Sequence, residues 1–241
     1  MARTGAVRTR LTHSIEVSNY GSQIAETLAQ RLIARGSLPP DLRFAFVKTV
    51  ENSCLLHDIG NPPFGHMGEY AIQRWFVKNE EQLVKSWLCL DRFSSEVANQ
   101  HLKAYQRFDG NPQGFRIATR LQWLYDEFGM NLTRSLLAAY IKYLGDVPDP
   151  TSRFRKKIGY FPTETEVVRN VWKTLGLLTN DKGLPIQRHP LAFLMEAADD
   201  IAFCLSDIED ALEKKVVTEN EFISWMRSKK VSNLKSICLF R

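Results

Sequence analysis

The stretch LMEAADDIAFCLSDIEDAL, residues 194–212, carries apolar side chains at Leu194, Ala198, Ile201, Leu205, Ile208 and Leu212. That alternation of three and four is the period of an amphipathic helix, and it predicts one here with the leucine stripe turned inward. The opposite side collects Asp199, Phe203, Asp207 and Asp210, with Asp200 on the flank. An acidic side of this kind is either a solvated surface or, with an aromatic ring between two carboxylates and small alanines nearby, the floor of a ligand pocket. Working outward, the same periodicity predicts helices over 12–35, 42–57, 67–88, 114–128, 131–144 and 164–176. Turn signals separate them at Gly36-Ser37 with Pro39-Pro40, at Gly60-Asn61-Pro62-Pro63, at Asp109-Gly110-Asn111-Pro112 and at 146–150. Only residues 151–162 leave room for short strands. The expected fold class is all-α, a helical bundle, with 1–241 read as one domain.

Composition narrows the class. The 241 residues are 44% hydrophobic and 24% charged, as in ordinary globular proteins, which excludes a disordered tail, a collagen-like fibre and a disulfide-stapled miniprotein. The apolar run 201–205 is far too short to span a bilayer, so no membrane partner is expected. The opening MARTGAVRTR has no apolar stretch behind its basic residues and is no secretory signal. Cys54, Cys89, Cys204 and Cys238 lie far apart without a CxxC pair, which fits packing roles and a reducing, cytoplasmic location. A formal net charge of +5 suits a polyanionic partner such as a nucleotide or nucleic acid, although charge alone favours an ordinary solvated surface.

The densest chemistry lies in His57-Asp58-Ile59-Gly60-Asn61-Pro62-Pro63-Phe64-Gly65-His66-Met67-Gly68-Glu69. Imidazole next to carboxylate suits a borderline or hard divalent ion. The turn that follows returns His66 and Glu69, three apart and therefore on one helical face, as a proton donor and its orienter. His13 falls on the apolar stripe with Val17, Gly21 and Ile24, where a histidine is more often a satisfied core residue than a ligand; the guanidiniums of Arg8 and Arg10 just before it suit a phosphate and favour a site. Lys142-Tyr143 and Lys156-Lys157 with Tyr160 pair cations with rings that can hold phosphate and stack on a base; basic solvated loops are the alternative. His101 and His189 are expected to be structural or exposed. No phosphate-binding glycine loop and no nucleophile elbow is present.

The pattern His13 … His57-Asp58 … Asp199 resembles the HD-domain metal phosphohydrolases. VRTRLTHSIEV, CLLHDIGNPPFGHMGE, FDGNPQGFR and MEAADDIAFCLSDIEDA together are similar to the bacterial deoxyguanosine triphosphate triphosphohydrolases, and they reach from residue 7 to about 213. The resemblance implies an all-helical HD-domain bundle and hydrolysis of dGTP, or other dNTPs, to deoxynucleoside and inorganic triphosphate. It implies a divalent ion, Mn²⁺ or Mg²⁺, held by His13, His57, Asp58 and Asp199; Asp199 is preferred to Asp200 because the family places pocket residues four and eight positions later, here Phe203 and Asp207. His66 and Glu69 would be the catalytic pair, Arg10, Lys142, Tyr143 and Lys157 would hold the triphosphate, Phe203 and Asp207 would face the sugar, and Asn111 is a further pocket candidate. It also implies a homo-oligomer, commonly a hexamer.

Three departures from the family follow. Phe203 stands where the family has tyrosine, so a hydroxyl is missing from sugar selection. The family's glutamine-bearing segment before the first histidine and its large C-terminal helical region are both expected to be absent. These departures keep two alternatives open, another HD-domain nucleotidase or phosphodiesterase and a weakened remnant that binds nucleotide or single-stranded nucleic acid.

Overall fold

The computed structural model describes residues 9–89, 94–123, 126–146 and 157–228. Arg8, Lys156 and Cys238, singled out above, lie outside the described residues. The helices are α1 (Arg10–Ala34), α2 (Arg43–Leu56), α3 (His66–Lys78), α4 (Glu80–Cys89), α5 (Ser95–Tyr105), α6 (Gly110–Arg116), α7 (Arg134–Tyr140), α8 (Thr165–Thr174), α9 (Pro190–Glu213) and α10 (Glu219–Ser228). Among the described residues there is no strand, only an isolated bridge between Thr179 and Pro185. No helix there is long and apolar enough to cross a membrane. The strands allowed over 151–162 do not form in its described part; Ile158, Tyr160 and Phe161 are buried in a bent, irregular segment instead.

Local chemistry explains most boundaries. Thr9 caps α1 by accepting from Thr12 N at 3.2 Å, while Thr12 Oγ1 accepts from Thr9 N at 2.9 Å, a reciprocal box that satisfies two otherwise unpaired donors. Gly36, left-handed at φ 68°, ends the helix. Pro190 opens α9, where its missing N–H costs nothing. The single helix expected over 67–88 is two, because the Asn79 side chain donates to Trp75 O at 2.7 Å and competes for the last turn's carbonyl. The helix expected from 114 starts at Gly110, since Asp109 caps it through Asn111 N at 2.9 Å and Pro112 is tolerated in a first turn. It then loosens into a π-helical turn over Ile117–Leu121 and stops short of 128. Helices α5 and α10 were not expected; α5 buries mainly alanines, Ala98 and Ala104 around Leu102, which carry little periodic signal.

The core centres on α1, α2 and α9, with α7 against α2 and α9 and α8 against α7. Val17, Ala25, Val50, Cys54, Met195, Ala198 and Ala202 form the buried cluster of the first three. Burial pushes the Cys54 thiol up to about 12, which suits the packing role expected of it. A Cβ on Gly21 would overlap Cys54 Sγ and lie 3.6 Å from the Ala198 methyl, so only glycine allows these three helices to meet at that level.

The stripe predicted to face inward on α9 does so only in part: Ala198 is buried and Leu194 packs against the core. Ile201 and Leu205 are exposed, and the buried side runs through Leu191, Ala192, Met195, Ala198, Asp199 and Ala202. Close approach of α1 and α2 selects the small residues of α9 over its large ones. That rotation carries Asp199 into the interior.

Candidate metal centre

His13 on α1, His57 just past the end of α2 and Asp199 on α9 converge where those helices meet. Their ligand atoms all lie within 4.8 Å of one another. His13 Nε2 is 3.4 Å and His57 Nε2 3.6 Å from Asp199 Oδ1. The two rings meet edge-on with centroids 5.3 Å apart. Each of these three atoms is buried and makes no hydrogen bond within the protein. Buried polar atoms are almost always paired, so three that face one another unpaired form a donor set for a cation. Two imidazole nitrogens and a carboxylate oxygen suit a borderline divalent ion. His57 is oriented for this, because its Nδ1 lies 2.6 Å from Cys54 O; donating there leaves Nε2 with a free lone pair. Asp58 Oδ1 is 3.5 Å from His57 Nε2 but outside the three-atom group, at its more open edge.

The charges are mutually adjusted. Contact with the Asp199 carboxylate raises the His13 imidazole above its ordinary value, against the opposing effect of burial. Burial works to raise the Asp199 carboxyl, but His13, His57 and Lys142 outweigh it and its pKa is lowered. Cation affinity is therefore expected to fall with falling pH from above the histidine reference of 6.5, because His13 must shed a proton that it holds more tightly than usual. Calorimetric Mn²⁺ titrations between about pH 5.5 and about pH 8.5 check this, and a pH-independent affinity would contradict it.

A second cluster adjoins the first through the loop after α2. His66 Nδ1 is 2.8 Å from Glu69 Oε2, as the spacing predicted, and the His66 side chain is 89% exposed while Glu69 is buried. The other Glu69 oxygen accepts from Gly110 N at 2.7 Å. The next residue back, Asp109, is a buried carboxylate that takes Lys157 Nζ at 2.7 Å and both Asn111 N and Asn111 Nδ2, at 2.9 and 2.6 Å. This turn lies directly on the His57-Asp58 loop: a Cβ on Gly60 would overlap Gly110 O and Gly114 N. Sequence reasoning did not assign Asp109, although the FDGN string contains it.

The other expected residues are placed as follows. Arg10 donates to Asn61 O at 2.6 Å and Pro62 O at 2.9 Å, and so clamps the loop that follows the His57-Asp58 pair. Lys142 Nζ lies 3.6 Å from Glu196, which also pairs with the buried Arg188 at 2.9 Å. Neither Glu196 nor Arg188 was anticipated, though Glu196 stands one turn before Asp199. Tyr143 is half-buried and packs against Gly159, which has no room for a Cβ beside the Tyr143 carbonyl; that contact brings Lys142-Tyr143 and Lys157 to the same side. The Phe203 ring lies edge-on to His13 at 5.1 Å, and Asp207, one turn further along α9, is exposed.

An all-helical scaffold that converges two histidines and an aspartate, beside a His-Asp doublet at a helix end, defines the HD-domain class. The HD domain family model matches residues 10–107, which hold His13, His57, Asp58, His66 and Glu69. Residues 10–107 are thus similar to the HD domain family. Among curated proteins, it is 36% identical over 226 residues to one named probable deoxyguanosinetriphosphate triphosphohydrolase from Pseudomonas aeruginosa. It is 37% and 39% identical, each over 241 residues, to proteins named deoxyguanosinetriphosphate triphosphohydrolase from Salmonella arizonae and Cronobacter sakazakii. Each alignment covers 90% of this chain but only 43% to 45% of the relative, so the chain spans less than half the length of these proteins.

Proposed function

We propose that this protein hydrolyses a deoxynucleoside triphosphate, dGTP in the first instance, to the deoxynucleoside and inorganic triphosphate. The observation that carries the reading is the convergence of three buried ligand atoms from His13, His57 and Asp199 that make no hydrogen bond within the protein. Mn²⁺ or Mg²⁺ would be held there, with Asp58 completing the donor set from the rim. When bound, such an ion supplies charge neutralisation at the α-phosphate and lowers the pKa of the attacking water.

The chain's own residues do the remaining work. Water adds to the α-phosphorus as the bond to the 5′ oxygen breaks, and that oxygen needs a proton. His66 is suited to give it: Glu69 holds Nδ1 and fixes the ring, while the rest of the side chain is open to an incoming ligand. Lys157, Asn111, Lys142 and Tyr143 together hold the triphosphate. Phe203 packs against the deoxyribose and Asp207 accepts from its hydroxyl. Arg10 fits the phosphate role least well, since it would have to leave two backbone carbonyls; holding the loop is its better-supported task. The same reading takes the chain as one domain of a cytoplasmic homo-oligomer.

Incubating the protein with dGTP and Mn²⁺ or Mg²⁺ and separating products by anion exchange tests this. Deoxyguanosine with intact triphosphate sustains the reading. Orthophosphate or pyrophosphate identifies a different hydrolase, and absence of turnover with cation bound identifies a binding protein.

A further inference from the structure

Asp109 holds more partners than its place in the chain requires. As the residue before α6 it needs one side-chain acceptor for the backbone N–H of Asn111, and serine, threonine or asparagine supplies that equally well. A buried carboxylate is costly unless charge-paired. Here the charge is paired, with an ammonium 48 positions away in sequence: Asp109 Oδ2 meets Lys157 Nζ at 2.7 Å, while Oδ1 receives both nitrogens of Asn111. The peptide that follows is fixed from the other side by Glu69 Oε1 at 2.7 Å, and Glu69 Oε2 holds His66. One turn thus ties together a cation, an amide and a histidine–glutamate pair.

We propose that Asp109 is a positioning residue, whose buried carboxylate fixes Lys157 and Asn111 as paired donors for a polyphosphate and, through the peptide of Gly110, keeps them in register with His66 and Glu69. The identity of the polyphosphate as substrate rests on the function proposed above; the positioning itself does not. An ammonium has three N–H donors, and the Lys157 side chain is 44% exposed, so those that Asp109 leaves are open to an incoming anion. The carboxylate has two opposed effects on that anion: it repels it directly, and it orders the groups that attract it. Positioning predicts that order outweighs repulsion. A carboxylate that merely competed for Lys157 would have the reverse sign.

Asp109→Asn separates the two. The amide oxygen can still cap α6, but its NH₂ then confronts either Lys157 or the Asn111 amide, donor against donor. Binding of inorganic tripolyphosphate to the full chain, with and without Mn²⁺, is measured by calorimetry for the wild type, D109N, K157M and the double variant. D109N is expected to bind roughly tenfold more weakly, and the double variant no more weakly than K157M alone, because both changes break the same arrangement. D109N that binds as tightly as or more tightly than wild type, losses that simply multiply in the double variant, or a wild type that does not bind tripolyphosphate would each overturn the proposal. If D109N does not fold, the Lys157 side-chain ¹⁵N resonance of the wild type decides: it must shift on adding tripolyphosphate, and an unmoved signal refutes the assignment. The dGTP product assay is independent of all four binding measurements, so failure of the hydrolase reading and failure of this one are told apart.

Discussion

His57→Ala is expected to weaken Mn²⁺ binding by more than roughly a hundredfold, beyond the 10–100-fold that loss of a merely supporting residue costs. Turnover should drop with it by roughly a thousandfold, about 4 kcal/mol, within the several kcal/mol that a bound cation contributes to stabilising charge. The reason is geometric. His57 Nε2 is one of three buried atoms facing a common point, and its orientation is set by the Cys54 carbonyl at 2.6 Å. Alanine removes the donor and leaves that carbonyl only the backbone N–H of residue 57, at 3.4 Å. Asp58→Ala provides the graded comparison, because Asp58 stands at the open edge; its loss should fall nearer the supporting-residue range. Calorimetric Mn²⁺ titration of both variants, with melting curves without metal to establish folding, reads this out. A folded His57→Ala protein with wild-type affinity would remove the site from consideration.

Gly60→Ala should be among the most damaging single methyls. The added Cβ would overlap the Gly110 carbonyl and the Gly114 nitrogen, and Gly114 Cα would lie at 2.7 Å. All three are backbone atoms, so no side chain can swing aside. The cost is expected at about 3 kcal/mol, the upper range for overpacking, or a fall in melting temperature of roughly 10 °C for a domain of this size. Gly36→Ala is the control for conformation without crowding: Gly36 has φ 68° with open space around it, and its cost should stay near 1 kcal/mol. Urea unfolding midpoints distinguish the two. A Gly60→Ala cost below that of Gly36→Ala would mean that the loop and the α6 turn do not bear on each other as described. Because that contact seats the His57-Asp58 loop, Gly60→Ala should weaken the cation site as well.

Much of this architecture was legible in the chain. Helical periodicity gave the all-α class, and the ranges for α1, α2 and α8 were close to those observed. His13, His57 and Asp199 could be gathered by motif, and the His66–Glu69 contact by their spacing of three. What periodicity could not give was which side of α9 faces inward. Periodicity carried the inward side from Ala198 on to Ile201 and Leu205, whereas close packing against α1 and α2 turns it from Ala198 to Ala202. Partnerships between distant residues were equally hidden. Lys157 reads as a free cation until the fold brings Asp109 to it, and Lys142 until Glu196 is seen one turn from Asp199. Arg10 reads as a phosphate ligand until its guanidinium is found on the carbonyls of Asn61 and Pro62.

The wide separation of His13, His57 and Asp199 along the chain has a thermodynamic consequence. About 140 residues lie between His57 and Asp199, so in the unfolded chain their encounter carries a large loop-closure entropy, and an ion bridging them binds essentially only the folded form. Such an ion acts as a removable cross-link between the first and last thirds of the sequence. Stability should then rise with the logarithm of free cation once that exceeds the dissociation constant, by about 2.7 kcal/mol at a hundredfold excess, and the melting temperature should rise with it. Chelation would loosen the whole bundle, and the metal content of the surroundings would set how long the protein persists.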